Sequence, residues 1–337
     1  MKKVIFNILR KLSSYKKTKW SGTGKVKILI VTNSYFSKKS WEQIISLKYL
    51  KENKDWDIVY SSGKMEICRH FADADACFLN GLSGLYPLTD HPKLLYFPLI
   101  GLEFLENKKL PEKYRIEKPP VFSKTAIAEY CFSQAIIISR HLQSAYRHQN
   151  ERTWNQKDIL KQPFTSVTDL TIGILGVGNI GEGIAAIFKN NNCTVIGCDR
   201  NSDITNKCVD KWYDIKQLSE FLNATDLLII SLPLNPETRH LIGINELKTL
   251  GPKGYLMNVS RGAIVKEKAL VHCLKNNVIA GAVLDVFEHE PLMPDNELYG
   301  LDNVIITPHV SGNINYFVNE IQDDFLKKAA ELKNTGE

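Results

Sequence analysis

Gly176-Val177-Gly178-Asn179-Ile180-Gly181 lies between an apolar run of strand character, Thr171-Ile172-Gly173-Ile174-Leu175, and a run whose apolar residues Ile180, Ile184, Ile187 and Phe188 recur at helical spacing. Eighteen residues beyond Gly181, closing a second apolar run (Thr194-Val195-Ile196-Gly197-Cys198), stands Asp199. Strand, glycine turn, helix, strand and acid in this order form a dinucleotide-binding unit. Gly176 permits a tight turn, Gly178 lets the backbone approach a pyrophosphate, and Gly181 allows close packing of helix on strand. The helix opening at Asn179 and Ile180 offers unpaired N–H groups to the anion. Asp199 can accept hydrogen bonds from the ribose hydroxyls and repel a 2′-phosphate, so the expected cofactor is NAD.

Working outward from this unit, strands and helices alternate on both sides. From Lys27 onward, strands are expected at 28–31, 57–60, 76–79 and 94–97, with a helix near Trp41 to Leu50. A helical pattern from Thr125 to Gln149 leads to a second series, with strands expected at 171–175, 194–198, 226–231, 255–259, 280–285 and 303–307. The expected fold class is α/β in two domains: a Rossmann-type doubly wound parallel sheet for the cofactor and a smaller flavodoxin-like α/β domain for the substrate. The expected boundaries are a basic extension at 1–25, a substrate domain at 26–125 and 310–337, and an NAD-binding domain at 126–309.

Composition agrees with a globular enzyme, with 44% hydrophobic and 24% charged residues among 337. The seven cysteines (68, 77, 131, 193, 198, 208 and 273) show no CxxC spacing, which fits reduced thiols and points to the cytoplasm. No apolar stretch reaches the roughly 18 to 20 residues of a membrane-spanning helix. Residues 1–25 hold eight Lys or Arg and no Asp or Glu, so the net charge of +6 comes from this arm. Its Ile5, Ile8, Leu9 and Leu12 suit one face of a short basic amphipathic helix, for an anionic surface or a partner, against the plainer reading of a solvated arm. Nucleic-acid binding is not expected. His289 and the Cys68/His70 pair lack a second ligand set at metal spacing, so no metal is expected either.

Polar groups gather where the last strands of the second series end. Asn258-Val259-Ser260-Arg261-Gly262 closes one, Asp285-Val286-Phe287-Glu288-His289-Glu290-Pro291 the next, and Thr307-Pro308-His309 the last. Such sheets bind ligands at the carboxyl ends of their strands. An Arg there can grip a carboxylate in two-point fashion, a His can move a proton, and a Glu can hold the imidazolium.

With these segments, the chain resembles the D-isomer-specific 2-hydroxyacid dehydrogenase family. Further marks are Ala126-Ile127-Ala128-Glu129, Ser231-Leu232-Pro233-Leu234 and Pro236-Glu237-Thr238, and the likeness is densest from Ala126 to Gly312. The resemblance implies that Arg261 binds the substrate carboxylate and the oxygen at C2, that His309 is the acid/base, and that Glu290 is its partner. It implies that Asp285 holds the nicotinamide carboxamide, that Leu232, Pro233, Thr238, Val259, Ser260 and Gly312 line the cofactor, and that backbone N–H groups of Ile100 and Gly101 meet the substrate. It further implies a 2-oxo or D-2-hydroxy acid as substrate and a homodimer, with the segment from Tyr146 to Trp154 near the interface. The choice of Glu290 over the neighbouring Glu288 rests on family position. Two departures stand out: Gly101-Leu102-Glu103 replaces the Gly-Val-Asp of many members, and residues 1–25 have no usual counterpart. The expected function is hydride transfer between NAD(H) and C2 of a 2-oxo acid; the alternative is an NAD-sensing module with little turnover.

Overall fold

Stretches such as Ile28-Leu29-Ile30-Val31 and Leu227-Leu228-Ile229-Ile230 offer no polar face to water, so they suit strands covered by helices on both sides. The computed structural model describes residues 25–49, 56–81, 86–89, 91, 93–98, 102, 105, 108–120, 124–161, 165–200, 207–312 and 317–332. In it both stretches are buried strands of two all-parallel sheets. The described residues before 123 and after 313 form one compact unit, and those between form a second.

The first unit runs β1 (Val26–Val31), α1 (Lys38–Lys48), β2 (Trp56–Ser61), α2 (Lys64–Phe71), β3 (Ala76–Phe78), β4 (Lys93–Tyr96) and β5 (Tyr114–Glu117). Its sheet has the flavodoxin-like order β2-β1-β3-β4-β5. The second unit runs α3 (Lys124–Ser139), α4 (Leu142–Asn150), α5 (Gln156–Leu160), β6 (Thr171–Leu175), α6 (Asn179–Asn190), β7 (Thr194–Asp199), β8 (Lys211–Asp214), α7 (Leu218–Asn223), β9 (Leu227–Ile230), α8 (Ile244–Leu250), β10 (Tyr255–Asn258), α9 (Glu267–Lys275), β11 (Gly281–Leu284) and β12 (Val304–Ile306). Its seven strands lie in the order β12-β11-β10-β9-β6-β7-β8. The sequence of strands therefore reverses direction at β6, and this reversal is the ligand-binding point of doubly wound sheets.

Two hydrophobic clusters line the second sheet. In one of them α3 packs on α6, with the Phe132 ring edge-on to Phe188 at 5.3 Å. The last helix, α10 (Val318–Ala330), belongs to the first unit. It inserts Ile321, Phe325, Leu326 and Ala329 into the core that contains Trp41, Phe78 and Tyr96. No described helix is long and apolar enough to cross a membrane.

Three expectations need correction. The second sheet has seven strands instead of six, and the first has five instead of four. The additional strands, β8 (Lys-Trp-Tyr-Asp) and β5 (Tyr-Arg-Ile-Glu), are both edge strands. An edge strand has one neighbour and partial solvent exposure, so it carries charges and lacks the apolar run that betrays a central strand. The single helix expected at 125–149 is two helices, because His141 takes the left-handed conformation (φ 52°) between α3 and α4. The basic arm lies outside the described residues, apart from Lys25.

Phe325 is fully buried, and its ring centroid lies 5.4 Å from those of both Phe78 and Tyr96. Phe325→Ala is expected to cost about 3 to 5 kcal/mol by emptying this aromatic core. Urea unfolding followed by circular dichroism checks it, and an unchanged midpoint would show that α10 does not anchor the first unit.

Candidate active site

The glycine turn follows β6 directly. Gly176 has φ +93°, a conformation L side chains rarely adopt, and a Cβ there would come within 2.8 Å of the Leu232 side chain. Its carbonyl accepts a hydrogen bond from Ser231 Oγ at 2.5 Å, tying the turn to the loop after β9. Gly178 is the N-cap of α6, and a Cβ there would meet nothing within 4 Å, so the turn opens onto accessible space. No side-chain hydrogen bond caps this helix end, where the amides of Asn179, Ile180 and Gly181 begin the first turn. Asp199, at the end of β7, accepts from Val177 N at 2.9 Å and from Arg200 N at 2.7 Å, so its carboxylate lies against the turn. These residues fit a dinucleotide: a backbone left open beside an uncapped helix end, with an acid one strand away.

The loop after β9 is shaped from within. The Thr238 hydroxyl donates to Pro233 O at 2.7 Å and accepts from Asn235 N at 2.8 Å. Thr238 is thus buried in its own loop, and that loop holds Leu232 against the glycine turn.

Next along the sheet, β10 releases Asn258, whose side chain organises the following turn. It donates to Arg261 O at 3.0 Å and accepts from the Ser260 amide and hydroxyl, each at 3.1 Å. Val259 is buried at the strand end. The Arg261 guanidinium donates to Ser260 O at 2.7 Å. Gly262 is required by close approach, because a Cβ there would run into the Phe287 and Glu288 backbone. That contact sets Arg261 against the segment carrying Glu288 and Glu290.

Asp285, just past β11, has no solvent exposure. Its carboxylate accepts from the Thr307 hydroxyl at 2.5 Å, Val310 N at 2.9 Å and Ser311 N at 2.9 Å. Tyr130 from α3 meets the same Thr307 hydroxyl at 2.7 Å, and burial pushes the Tyr130 phenol up from its ordinary range. Asp285 therefore holds the loop after β12, including the stretch just before Gly312. In that loop His309 sits at φ 55° and donates its backbone N–H to Asp285 O at 2.9 Å. A left-handed His is a strained residue retained by its surroundings, a common condition at functional sites.

His309 Nδ1 lies 2.7 Å from Glu290 Oε2, while Glu290 Oε1 accepts from Phe287 N at 3.0 Å. Glu288 is engaged elsewhere, 2.7 Å from His240 Nε2. The sequence left Glu288 as a rival to Glu290, and the structure separates them by partner. The His240–Glu288 pair was not foreseen, since 48 residues separate its members in sequence. Nothing in the sequence marks Tyr130, Ser231 and Thr307 as supports, although Ser231 opens the Ser231–Leu234 motif and Thr307 the Thr307-Pro308-His309 motif. Ile100 and Gly101 lie outside the described residues.

Because all seven strands are parallel, their carboxyl ends form one edge. Along it stand His309, then Asp285 with Glu290, Arg261, Pro233, the Gly176–Gly178 turn and Asp199. From β10 to β7 is three strand spacings, roughly 14 Å. That edge is long enough to hold an extended dinucleotide laid from the Asp199 end toward the Arg261 end.

The profile of "D-isomer specific 2-hydroxyacid dehydrogenase, NAD binding domain" matches residues 132–311, just over half of the chain. The chain belongs to the D-isomer-specific 2-hydroxyacid dehydrogenase family. A glyoxylate reductase of Pyrococcus furiosus is 34% identical over 201 residues, covering 58% of this chain and 59% of that protein. A glyoxylate/hydroxypyruvate reductase of Arabidopsis thaliana, A HPR2, is 32% identical over 247 residues, covering 72% and 74%. In fold, the chain is similar to a D-isomer specific 2-hydroxyacid dehydrogenase family protein from Aeromonas salmonicida, with a TM-score of 0.79, 23% identity, and coverage of 94% and 97%.

Glu290→Gln keeps the size of the side chain but removes the charge held 2.7 Å from Nδ1 of His309. A hydrogen bond to a charged group contributes about 1.5 to 3 kcal/mol, so the substitution is expected to lower kcat/KM by roughly one to two orders of magnitude in both reaction directions. Unchanged efficiency would show that this contact has no part in the reaction.

Proposed function

We propose that this chain reduces a small 2-oxo acid to the D-2-hydroxy acid with NADH, and catalyses the reverse with NAD. The observation that carries the proposal is the His309–Glu290 pair at 2.7 Å, on the same sheet edge as Arg261 and the glycine turn. The nicotinamide, when bound, supplies or accepts the hydride. Glu290 engages Nδ1 of His309, which leaves Nε2 as the nitrogen that exchanges a proton with the substrate oxygen. In reduction, protonated His309 donates to the oxygen at C2 as negative charge grows there; in oxidation, the neutral ring removes that proton. Arg261 grips the substrate carboxylate and stabilises the developing charge at the C2 oxygen.

NAD is proposed over NADP because Asp199 presents a carboxylate beside the glycine turn, where a 2′-phosphate would bring further negative charge. The names of the Pyrococcus and Arabidopsis relatives make glyoxylate and hydroxypyruvate the first substrates to try. A sensing module without turnover would have no use for a paired imidazole and carboxylate. Turnover of a 2-oxo acid panel with NADH and with NADPH tests the reading, and no reduction of any member would overturn it. Arg261→Lys keeps the charge but loses the planar fork. It is expected to lower kcat/KM on the best substrate by roughly one to two orders of magnitude, and near wild-type efficiency would remove Arg261 from its role.

We also propose a homodimer in which the segment from Tyr146 to Trp154 contributes to the interface. Trp154 is 93% exposed, and it borders a groove of about 500 Å³ with Ala145, His148, Ile159 and Leu160. An exposed Trp beside an apolar groove is a common interface anchor. Trp154→Glu is expected to shift sedimentation toward the monomer, and unaltered self-association would exclude this surface.

A further inference from the structure

The glycine turn after β6 is flanked by the end of β7 on one side and the loop after β9 on the other. Arg200, the first residue past β7, donates from its guanidinium to the Glu237 carboxylate on the opposite loop. This ion pair spans the turn on which the dinucleotide would lie. Both of its ends are anchored. Asp199 beside Arg200 is bound to Val177 N at 2.9 Å, and Glu237 N donates to Asn235 Oδ1 at 2.8 Å within the loop that the Thr238 hydroxyl closes.

Resting on the nicotinamide-cofactor reading above, we infer that Glu237 is a specificity-determining residue, which holds Arg200 in an ion pair and so keeps it from serving a 2′-phosphate. A guanidinium at the end of β7 is what an NADP site uses to bind that phosphate. Here the position is filled by Arg200, immediately after the acid that favours NAD. A 2′-phosphate would have to displace Glu237 from Arg200 and then remain near two carboxylates, Asp199 and Glu237. A ribose hydroxyl requires neither. The pair is exposed, with 56% and 52% of its side-chain surfaces open to solvent. It therefore contributes little to stability, and substitutions in it leave the fold intact. Its consequence is the placement of one charge.

The experiment is a double-mutant cycle of Glu237→Gln and Arg200→Ala on the full chain. NADH and NADPH dissociation constants are measured by fluorescence titration, and kcat/KM for both cofactors is measured on one 2-oxo acid. In Glu237→Gln the ratio of NADPH to NADH, in affinity and in efficiency, is expected to rise about fivefold, as suits release of one exposed ion pair. In the double variant the gain is expected to vanish, because Arg200 supplies it. An unchanged ratio in Glu237→Gln overturns the inference, and so does an equal gain with Arg200 absent, which would leave only repulsion by Glu237. Wild-type binding of NADH ahead of NADPH with either of those results leaves the proposed function standing. Wild-type binding of neither cofactor would overturn the proposed function itself, and a wild-type preference for NADPH would overturn both the NAD assignment and this inference.

Discussion

Seven strands paired only in parallel must release the chain at one common edge, and that constraint organises the candidate site of the second unit. The glycine turn, Asp199, Arg261, Asp285 and His309 come from segments up to 133 residues apart, yet each leaves its strand at that edge. Parallel pairing in turn requires crossover connections, several of them helical here, and both faces of the sheet are buried under two hydrophobic clusters. The edge is consequently the place where backbone and polar side chains leave the core.

At the β11–β12 end this edge depends on a buried carboxylate. Burying Asp285 would be costly if its oxygens lacked partners. Its cost is offset by the Thr307 hydroxyl and the Val310 and Ser311 amides, all from the loop that carries His309. The carboxylate thus holds residues 307–311 in one arrangement, with His309 in a left-handed conformation retained by these contacts. Tyr130 extends the same hydrogen-bond chain to α3, so the position of the imidazole is coupled to the helix that also covers α6.

The segment after β11 separates two imidazole–carboxylate pairs. Glu290 takes His309 and the Phe287 amide; Glu288 takes His240 and, at 3.3 Å, the Glu267 amide. Adjacent carboxylates two residues apart are thereby assigned different partners and do not compete for one ring. The close contact at Gly262 brings the Arg261 turn to the same segment that carries Glu288 and Glu290.

Sequence alone was sufficient for whatever depends on local spacing. The glycine turn between strand and helix, the acid after the second strand and the central apolar strands were legible because each signal lies within a few consecutive residues or in a pattern of fixed period, whereas the choice of Glu290 over Glu288 came from family position. The edge strands β5 and β8 were not, since a strand bonded on one side mixes charge with apolar residues and resembles a loop. The break at His141 was hidden because α3 and α4 share a helical pattern on both sides of one left-handed residue. The distant partners of Asp285, Asp199, Glu288 and Arg200 belong to the tertiary structure, because each such pair joins atoms brought together by strand order and not by sequence neighbourhood. A carboxylate in a sequence can accept hydrogen bonds from any donor; only the packed sheet determines which donor arrives.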